Sequence, residues 1–342
     1  YGCTNFNLQI DNWERLSDPN DISTLSNVTD MSNMFYNCTS FDRHVGRWNV
    51  SNVITMENMF YGCINFNNLN SSSGTGDNAI GMWERDSSST YGKSTLLSVK
   101  NMSGMFYGCS KFNRDLSISK TWNVSNVTTM KNMFYGCTDF NGAGNTNSLY
   151  NWDVSNVKNM NGLFSGCTAF DQNLHLWNVS NVTTMADLFL NCENYNNDNS
   201  QTGSGSEGID NWNKNGNSVS NVKNMQGMFK GCLIFNRGLV SWDVSNVTNM
   251  ANMFYKCEKF NNHGKTGMEN WNVSNVTNME NMFRECTDFT TPNLKYWERD
   301  SSSTYGESTL KNVLNMDYMF NDASAFNRNI SNWCVLNIPQ PG

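Results

Sequence analysis

Histidine is nearly missing from this chain: three residues, His44, His175 and His263, in 342. They fall in different parts of the pattern described below, with no acidic or nucleophilic residue recurring beside them. Gly-x-Ser-x-Gly, a phosphate-binding glycine loop and His-Glu-x-x-His are all absent, so no standard catalytic constellation is available. The chain is read as non-enzymatic and without a cofactor. No stretch reaches the run of about 18 apolar residues that a membrane-spanning helix needs, and no signal peptide opens the chain. Basic charge is in deficit. Lys and Arg number 23 against 30 Asp and Glu, a net charge of −7 with pI near 5.0, which argues against nucleic acid or an anionic membrane as partner. There is no Cys-x-x-Cys pair and no Cys/His cluster, so nothing supports zinc.

Apolar material is plentiful, with 38% hydrophobic and 13% aromatic residues, which excludes general disorder. Polarity comes mainly from Asn, Ser and Thr, and Asn alone supplies about 60 residues. Those Asn sit at fixed places in a repeated unit, so folded Asn-bearing turns are expected rather than a low-complexity tract. The clearest unit begins at Trp48 and runs WNVSNVITMENMFYGCINFN to Asn67. It returns at Trp122, Trp152, Trp177, Trp242 and Trp271, and insertions stretch the Trp-to-Trp interval to as much as 39 residues. Repetition overrides the prior that a chain of this length holds two globular domains. About eleven copies of a unit of roughly 25 residues are expected over 1–342, as one tandem-repeat domain.

Within the unit Met56, Met59, Phe60 and Cys63 fall at i, i+3, i+4 and i+7, the spacing of one helix face. The Gly or Asn before the cysteine (Gly62, Gly108, Asn191) suits a left-handed helix terminus. Leu174, Trp177 and Val179 are assigned to a strand, and Ser-Asn after it to a turn. The expected fold is therefore an α/β solenoid, leucine-rich-repeat-like, with a parallel sheet on one face and short helices on the other. The repeat accounts for all 20 Phe, all 11 Trp and 18 of the 20 Met, leaving Met82 and Met268. Tyr195 replaces one Phe, Leu163 and Leu188 replace Met, and Ala323 replaces one Cys; these swaps keep the slots apolar.

The string Met-Phe-Tyr-Gly-Cys-Thr-x-Phe-Asn, followed by Trp-[Asn/Asp]-Val-Ser-Asn-Val-Thr-x-Met, is almost unbroken over 122–140 and 242–260. It resembles the BspA-like leucine-rich-repeat surface proteins, including the Mycoplasma-type lipoprotein repeat. The resemblance implies exposure on a cell surface or virion and a role in adhesion or partner binding. The expected partner is a protein or glycan on another surface, or copies of the chain itself. Such families share no catalytic residues. The alternative is a structural subunit of an extracellular filament or appendage, built by end-to-end stacking. Because the chain starts and stops inside repeats, it is read as a piece of a longer protein, with targeting and anchoring segments outside it.

Ten of the 11 cysteines occupy one repeat position (Cys3, Cys38, Cys63, Cys109, Cys137, Cys167, Cys192, Cys232, Cys257 and Cys286), and a ladder of buried thiols is expected. Cys334 lies off the ladder, as a free thiol or a bridge to another segment. Asn52, Asn126, Asn181, Asn246 and Asn275 occupy the turn and are expected to bond backbone there. Asn49, Asn123, Asn178 and Asn272 follow the inward Trp, are expected to face outward, and are the better glycan acceptors. Insert loops lie at 68–82, 142–150, 197–211 and 261–270 before the Trp, and at 84–98 and 298–312 after it, with a shorter relative at 14–25. Trp-Glu-Arg opens all three of the latter class. Plain surface insertion competes there with a partner-binding edge carrying Arg85, Tyr91, Arg299 and Tyr305. Loop calcium sites using Asp77, Asp198, Glu207 or Asp210 lack any defined ligand spacing.

Overall fold

The repeat folds as it does because its backbone amides divide by parity. In this computed structural model the N–H groups of Met56, Asn58, Phe60 and Gly62 donate to the carbonyls of Asn101, Ser103, Met105 and Tyr107 of the next coil, at 2.7–2.9 Å. Between them, the N–H groups of Met59, Tyr61 and Cys63 turn back onto Met56, Asn58 and Phe60, three residues earlier. Residues 31–37 and 102–108 repeat the scheme in the same unit, and residues 225–231 and 250–256 repeat it in a second. Every second amide thus binds coil to coil, which meets the requirement that buried backbone groups be paired.

This division overturns the expected fold class. A helix would send each amide to the carbonyl four residues back. Here Asn58 (φ 53°) as well as Gly62 (φ 70°) is left-handed, and two such residues four apart cut the segment into successive turns. The segment is not extended either. Parallel pairing with the next coil is confined to isolated bridges at the residue before the first Met, as in Asp30–Thr55, Thr55–Asn101, Asn101–Thr129 and Thr129–Asn159. Among the described residues there is no α-helix and no strand, only six 3-10 helices of three to five residues. The α/β solenoid, with its parallel sheet, short helices and leucine-rich-repeat-like build, is replaced by stacked coils of turns. The Trp segment, expected to be the strand, is a turn as well, with the Trp48 amide bound to Val45 O at 3.2 Å.

The structure describes residues 2–10, 25–68, 80–84, 93–117, 122–196, 208–213, 218–264, 267–290, 293–304 and 306–338. They form two compact units, Tyr1–Trp177 and Asn178–Gly342. Each has its own core, made of the same columns. Phe60 and Phe66 stack within a coil at 4.1 Å between ring centroids, and Phe60 meets Phe35 and Phe106 of the adjacent coils at 5.5 and 5.6 Å. Trp83, Trp122, Trp152 and Trp177 stack at 5.7, 6.0 and 6.4 Å in the first unit, and Trp271, Trp297 and Trp333 at 6.3 and 6.0 Å in the second. The indole N–H groups of Trp177 and Trp297 bond back across one coil, to Leu149 O at 2.9 Å and Met268 O at 3.0 Å. Met268, left over in the repeat count, is fully buried three residues before Trp271, in the slot that Leu239 fills before Trp242. All of these rings but the half-buried Trp333 are buried to the last few percent, and cutting a buried one to Ala would cost about 3–5 kcal/mol.

Asparagine supplies the polar half of the stack. After the second Phe it forms a column: the Oδ1 atoms of Asn67, Asn113 and Asn141 accept the amides of Asn113, Asn141 and Asp171 at 2.9–3.0 Å. At the turn, Asn126 Nδ2 donates to Leu97 O at 2.8 Å and Asn156 Nδ2 to Ser125 O at 2.7 Å. The second unit repeats this with Asn246 to Ser220 O and Asn275 to Ser245 O. A side-chain amide carries both donor and acceptor, so one residue type can bond its own coil and its neighbour. That capacity explains the Asn content.

Candidate functional site

The thiol ladder belongs to the scaffold. All 11 cysteines are free; Cys3 is exposed, Cys334 half-buried and the rest buried. Cys63, Cys109, Cys137 and Cys167 each place Sγ 2.9–3.0 Å from the carbonyl of Phe35, Phe60, Phe106 or Phe134, one coil back. Cys232, Cys257 and Cys286 do the same in the second unit. Burial pushes the Cys63 thiol up to about 12, helped by the neighbouring Cys38, and raises Cys109 and Cys137 well above the ordinary thiol value. Protonated, inaccessible thiols are neither nucleophiles nor metal ligands. Among the described residues no group of three or more His, Cys, Asp or Glu could hold a metal. No helix there is long and apolar enough to cross a membrane.

The inserts after the Trp are built as clasps. Glu298 accepts the Leu310 amide at 2.9 Å and the Thr309 hydroxyl at 3.4 Å, and Glu84 does the same with Leu96 and Thr95 at 3.1 and 3.2 Å. The glutamate of Trp-Glu-Arg thus ties the two ends of its insert together. Arg299 donates to the carbonyls of Gly306 (2.8 Å), Asn270 (3.0 Å), Trp271 (3.2 Å), Glu269 (3.4 Å) and Tyr296. Its guanidinium is spent on backbone, and burial lowers its pKa. An open cleft of about 440 Å³ lies beside it, lined by Lys295, Tyr296, Asp300, Ser302 and Asn332 among others. Much of that lining is already engaged: Asp300 holds Ser302 at 2.5 Å, and Asn332 Nδ2 donates to Lys295 O at 2.9 Å and Glu298 O at 3.1 Å.

Of the other residues singled out from the sequence, Arg85, Tyr91, Tyr305, Asp77, Asp198 and Glu207 lie outside the described residues, as do the insert at 14–24 and much of 68–82 and 197–211. Asp210 is buried, at 8% exposure, in the 3-10 helix Ile209–Asn213. The Asn set expected to face outward is the less exposed of the two. Asn49, Asn123, Asn178 and Asn272 are half-buried, with Oδ1 accepting the amide two residues on at 3.0–3.2 Å. The turn residues Asn52, Asn126, Asn181, Asn246 and Asn275 are exposed. The amide nitrogens of Asn52, Asn126, Asn246 and Asn275 donate to the preceding turn.

Two solvent-facing columns went unnoticed in the sequence. In the first unit Tyr36, Tyr61, Tyr107 and Tyr135 stack at 4.6, 4.3 and 4.4 Å between centroids, within 6° of parallel. The signal was Met-Phe-Tyr, the residue after the core Phe. In the second unit the same position holds Lys230, Tyr255 and Arg284. Lys230 and Arg284 lie over the Tyr255 ring at 5.0 and 5.2 Å, Lys256 at 5.7 Å, and Arg284 also meets Tyr318 at 5.6 Å. Glu285 pairs with Arg284 at 3.5 Å and Lys256 at 3.9 Å. Cation–π contacts at such exposed sites are each worth about 0.5–1 kcal/mol, so this row is held in place while staying open to solvent.

Comparison with known proteins agrees with a repeat chain. A family model described as "Mycoplasma protein of unknown function, DUF285" matches four times, over residues 1–77, 78–202, 201–309 and 268–340. No curated protein matches. Among solved structures the chain is similar to a leucine rich cell surface protein from Faecalibacterium prausnitzii A2-165, at 11% identity over 87% of this chain and 74% of that one, with a TM-score of 0.29. It is also similar to the TLR13–ssRNA13 complex, at 9% identity over 89% and 48% of the two chains, with a TM-score of 0.21. Likenesses at these scores carry no argument about fold or function. The family matches, end to end, cover nearly every repeat, and the chain belongs to the family of Mycoplasma proteins of unknown function, DUF285.

Proposed function

We propose that the protein is a non-catalytic recognition scaffold of a cell surface, which binds a partner through the solvent-facing columns of its coils. The observation that carries this reading is the division of side chains. Trp, Phe, Met, Val and Cys fill the columns of the core, and the clasp residues of the inserts bond backbone. Aromatic and cationic side chains are instead lined up at one repeat position facing solvent, as Tyr36 to Tyr135 in one unit and Lys230, Tyr255 and Arg284 in the other. Tyr and Arg are the residues that most often anchor protein interfaces, and a rigid stack presents them without ordering cost at binding. The sequence resemblance to BspA-like surface proteins supports the surface setting.

The test is retention of labelled protein on intact cells and on immobilised glycans and matrix proteins. Charge reversal at Lys230→Glu with Arg284→Glu, and Tyr61→Ser with Tyr135→Ser in a separate variant, should each weaken binding while thermal unfolding stays cooperative. Full binding by a chain carrying all four changes would refute the proposal.

A further inference from the structure

The tyrosine column of the first unit has a chemical property beyond contact. Tyr36, Tyr61, Tyr107 and Tyr135 are half-buried, and their rings lie 4.3–4.6 Å apart and near-parallel. The backbone locks that arrangement: the amides of Asn37, Gly62 and Gly108, each directly after a column tyrosine, donate to the carbonyls of Tyr61, Tyr107 and Tyr135 at 2.6–2.7 Å. Coils tied at this point cannot slide, so the rings meet in register, with Tyr107 stacked between Tyr61 and Tyr135. Other tyrosines meet different groups. Tyr150 packs against His175 with ring centroids 4.9 Å apart, Tyr195 stacks on Phe189 at 4.1 Å, and Tyr255 sits among cations.

We propose that this column is an oxidative cross-linking site, at which one-electron oxidation joins neighbouring rings into dityrosine within the chain. Each phenol loses an electron to the oxidant and its proton to water, leaving a radical with density on the ring carbons ortho to oxygen. Two adjacent radicals form one carbon–carbon bond. The hydrogens on the bonded carbons then move to the phenol oxygens and restore both aromatic rings. The pair has lost two hydrogen atoms in all. With hydrogen peroxide as terminal oxidant, used through a haem peroxidase, those two protons and two electrons convert one peroxide to two waters. Radical pairs elsewhere must find each other by diffusion, whereas here the second ring is already in contact. Each link closes a loop between consecutive coils, which restricts the unfolded chain as a disulfide does. Linking of this kind needs no partner and so stands apart from the proposed recognition role.

The experiment treats dilute monomer with a haem peroxidase and hydrogen peroxide, follows dityrosine fluorescence, and maps the links by proteolysis and mass spectrometry. Expected are joined peptides Tyr36–Tyr61, Tyr61–Tyr107 and Tyr107–Tyr135, each short of two hydrogens, and a higher unfolding temperature. Tyr61→Phe with Tyr107→Phe keeps the ring stack but takes at least one phenol from each of the three pairs, so those three joined peptides should disappear and intrachain dityrosine should fall. Tyr150→Phe should change nothing. As a measurement independent of that variant's folding, wild-type chain oxidised in denaturant should lose the three specific pairs. Links found mainly between chains or at tyrosines outside the column, or equal yield from the double variant, would overturn the proposal.

Discussion

Alkaline pH should unfold the first unit through its thiols. Cys63, Cys109, Cys137 and Cys167 are fully buried, and burial raises the pKa of each above the ordinary 9.0. For an acid whose folded pKa is raised, both states hold the proton below the unfolded value, and stability is flat there. Above it the unfolded chain releases protons that the folded chain keeps, so stability falls as pH rises until the folded pKa is reached. The loss is about 1.4 kcal/mol per pH unit per thiol. Cys63, raised to about 12, accounts alone for roughly 4 kcal/mol between pH 9 and 12. Four such thiols give a slope of about 5–6 kcal/mol per pH unit. Against a domain stability of about 5–15 kcal/mol, that slope brings unfolding within about one to three units above pH 9. Urea unfolding, followed at steps from pH 7.5 to 11, measures the slope directly. The decisive comparison is Cys109→Ala with Cys137→Ala. The small cavities lower stability at every pH, but only loss of the two thiols lowers the slope, by about 2.7 kcal/mol per pH unit. An unchanged slope in that variant would refute the reasoning.

Other outcomes follow from the same structure. A thiol reagent at neutral pH should label Cys3 at once and the buried cysteines only under denaturant; rapid native labelling of Cys109 or Cys257 would contradict their burial. Asn126→Asp and Asn246→Asp replace a donor to the preceding turn with a carboxylate facing a carbonyl, and each should cost about 0.5–1.5 kcal/mol by urea denaturation. Gly104 sits at φ +60°, and a Cβ added there would lie 2.1 Å from Asn58 Oδ1, so Gly104→Ala should destabilise by about 1–2 kcal/mol, against about zero for an alanine at an open site. Arg299→Lys loses the five-carbonyl grip of the guanidinium and keeps only a point charge; limited proteolysis should then cut within 298–312 faster than in wild type.

The columns of the core were legible because each slot repeats its residue. Trp48, Phe60, Phe66 and Cys63 recur with so few exceptions that burial could be read from identity, and the structure buries nearly all of the described copies, with Cys3 exposed and Phe6, Phe320, Phe326 and Trp333 half-buried. The path of the backbone between those slots was not legible from hydrophobic spacing. Met56, Met59, Phe60 and Cys63 share one face in a helix, and they share one face equally in a run of turns whose alternate amides point to the next coil. The residue that decides between the two is Asn58. Its left-handed backbone (φ 53°) recurs at Asn33, Gly104, Asn132, Gly162, Asp187, Gly227, Asn252 and Asn281. Asn, Asp and Gly are the residues that tolerate this conformation, so a second column of them, four residues before the one ahead of the cysteine, was a written signal against a helix. The tyrosine column was equally visible as Met-Phe-Tyr. The grip of Arg299 was not, because its acceptors are carbonyls with no side-chain signature, gathered from residues 269–271, 296 and 306. A repeat therefore reveals which side chains are spent on stacking. The residues left over at solvent-facing positions, once subtracted, are where binding chemistry has to be sought.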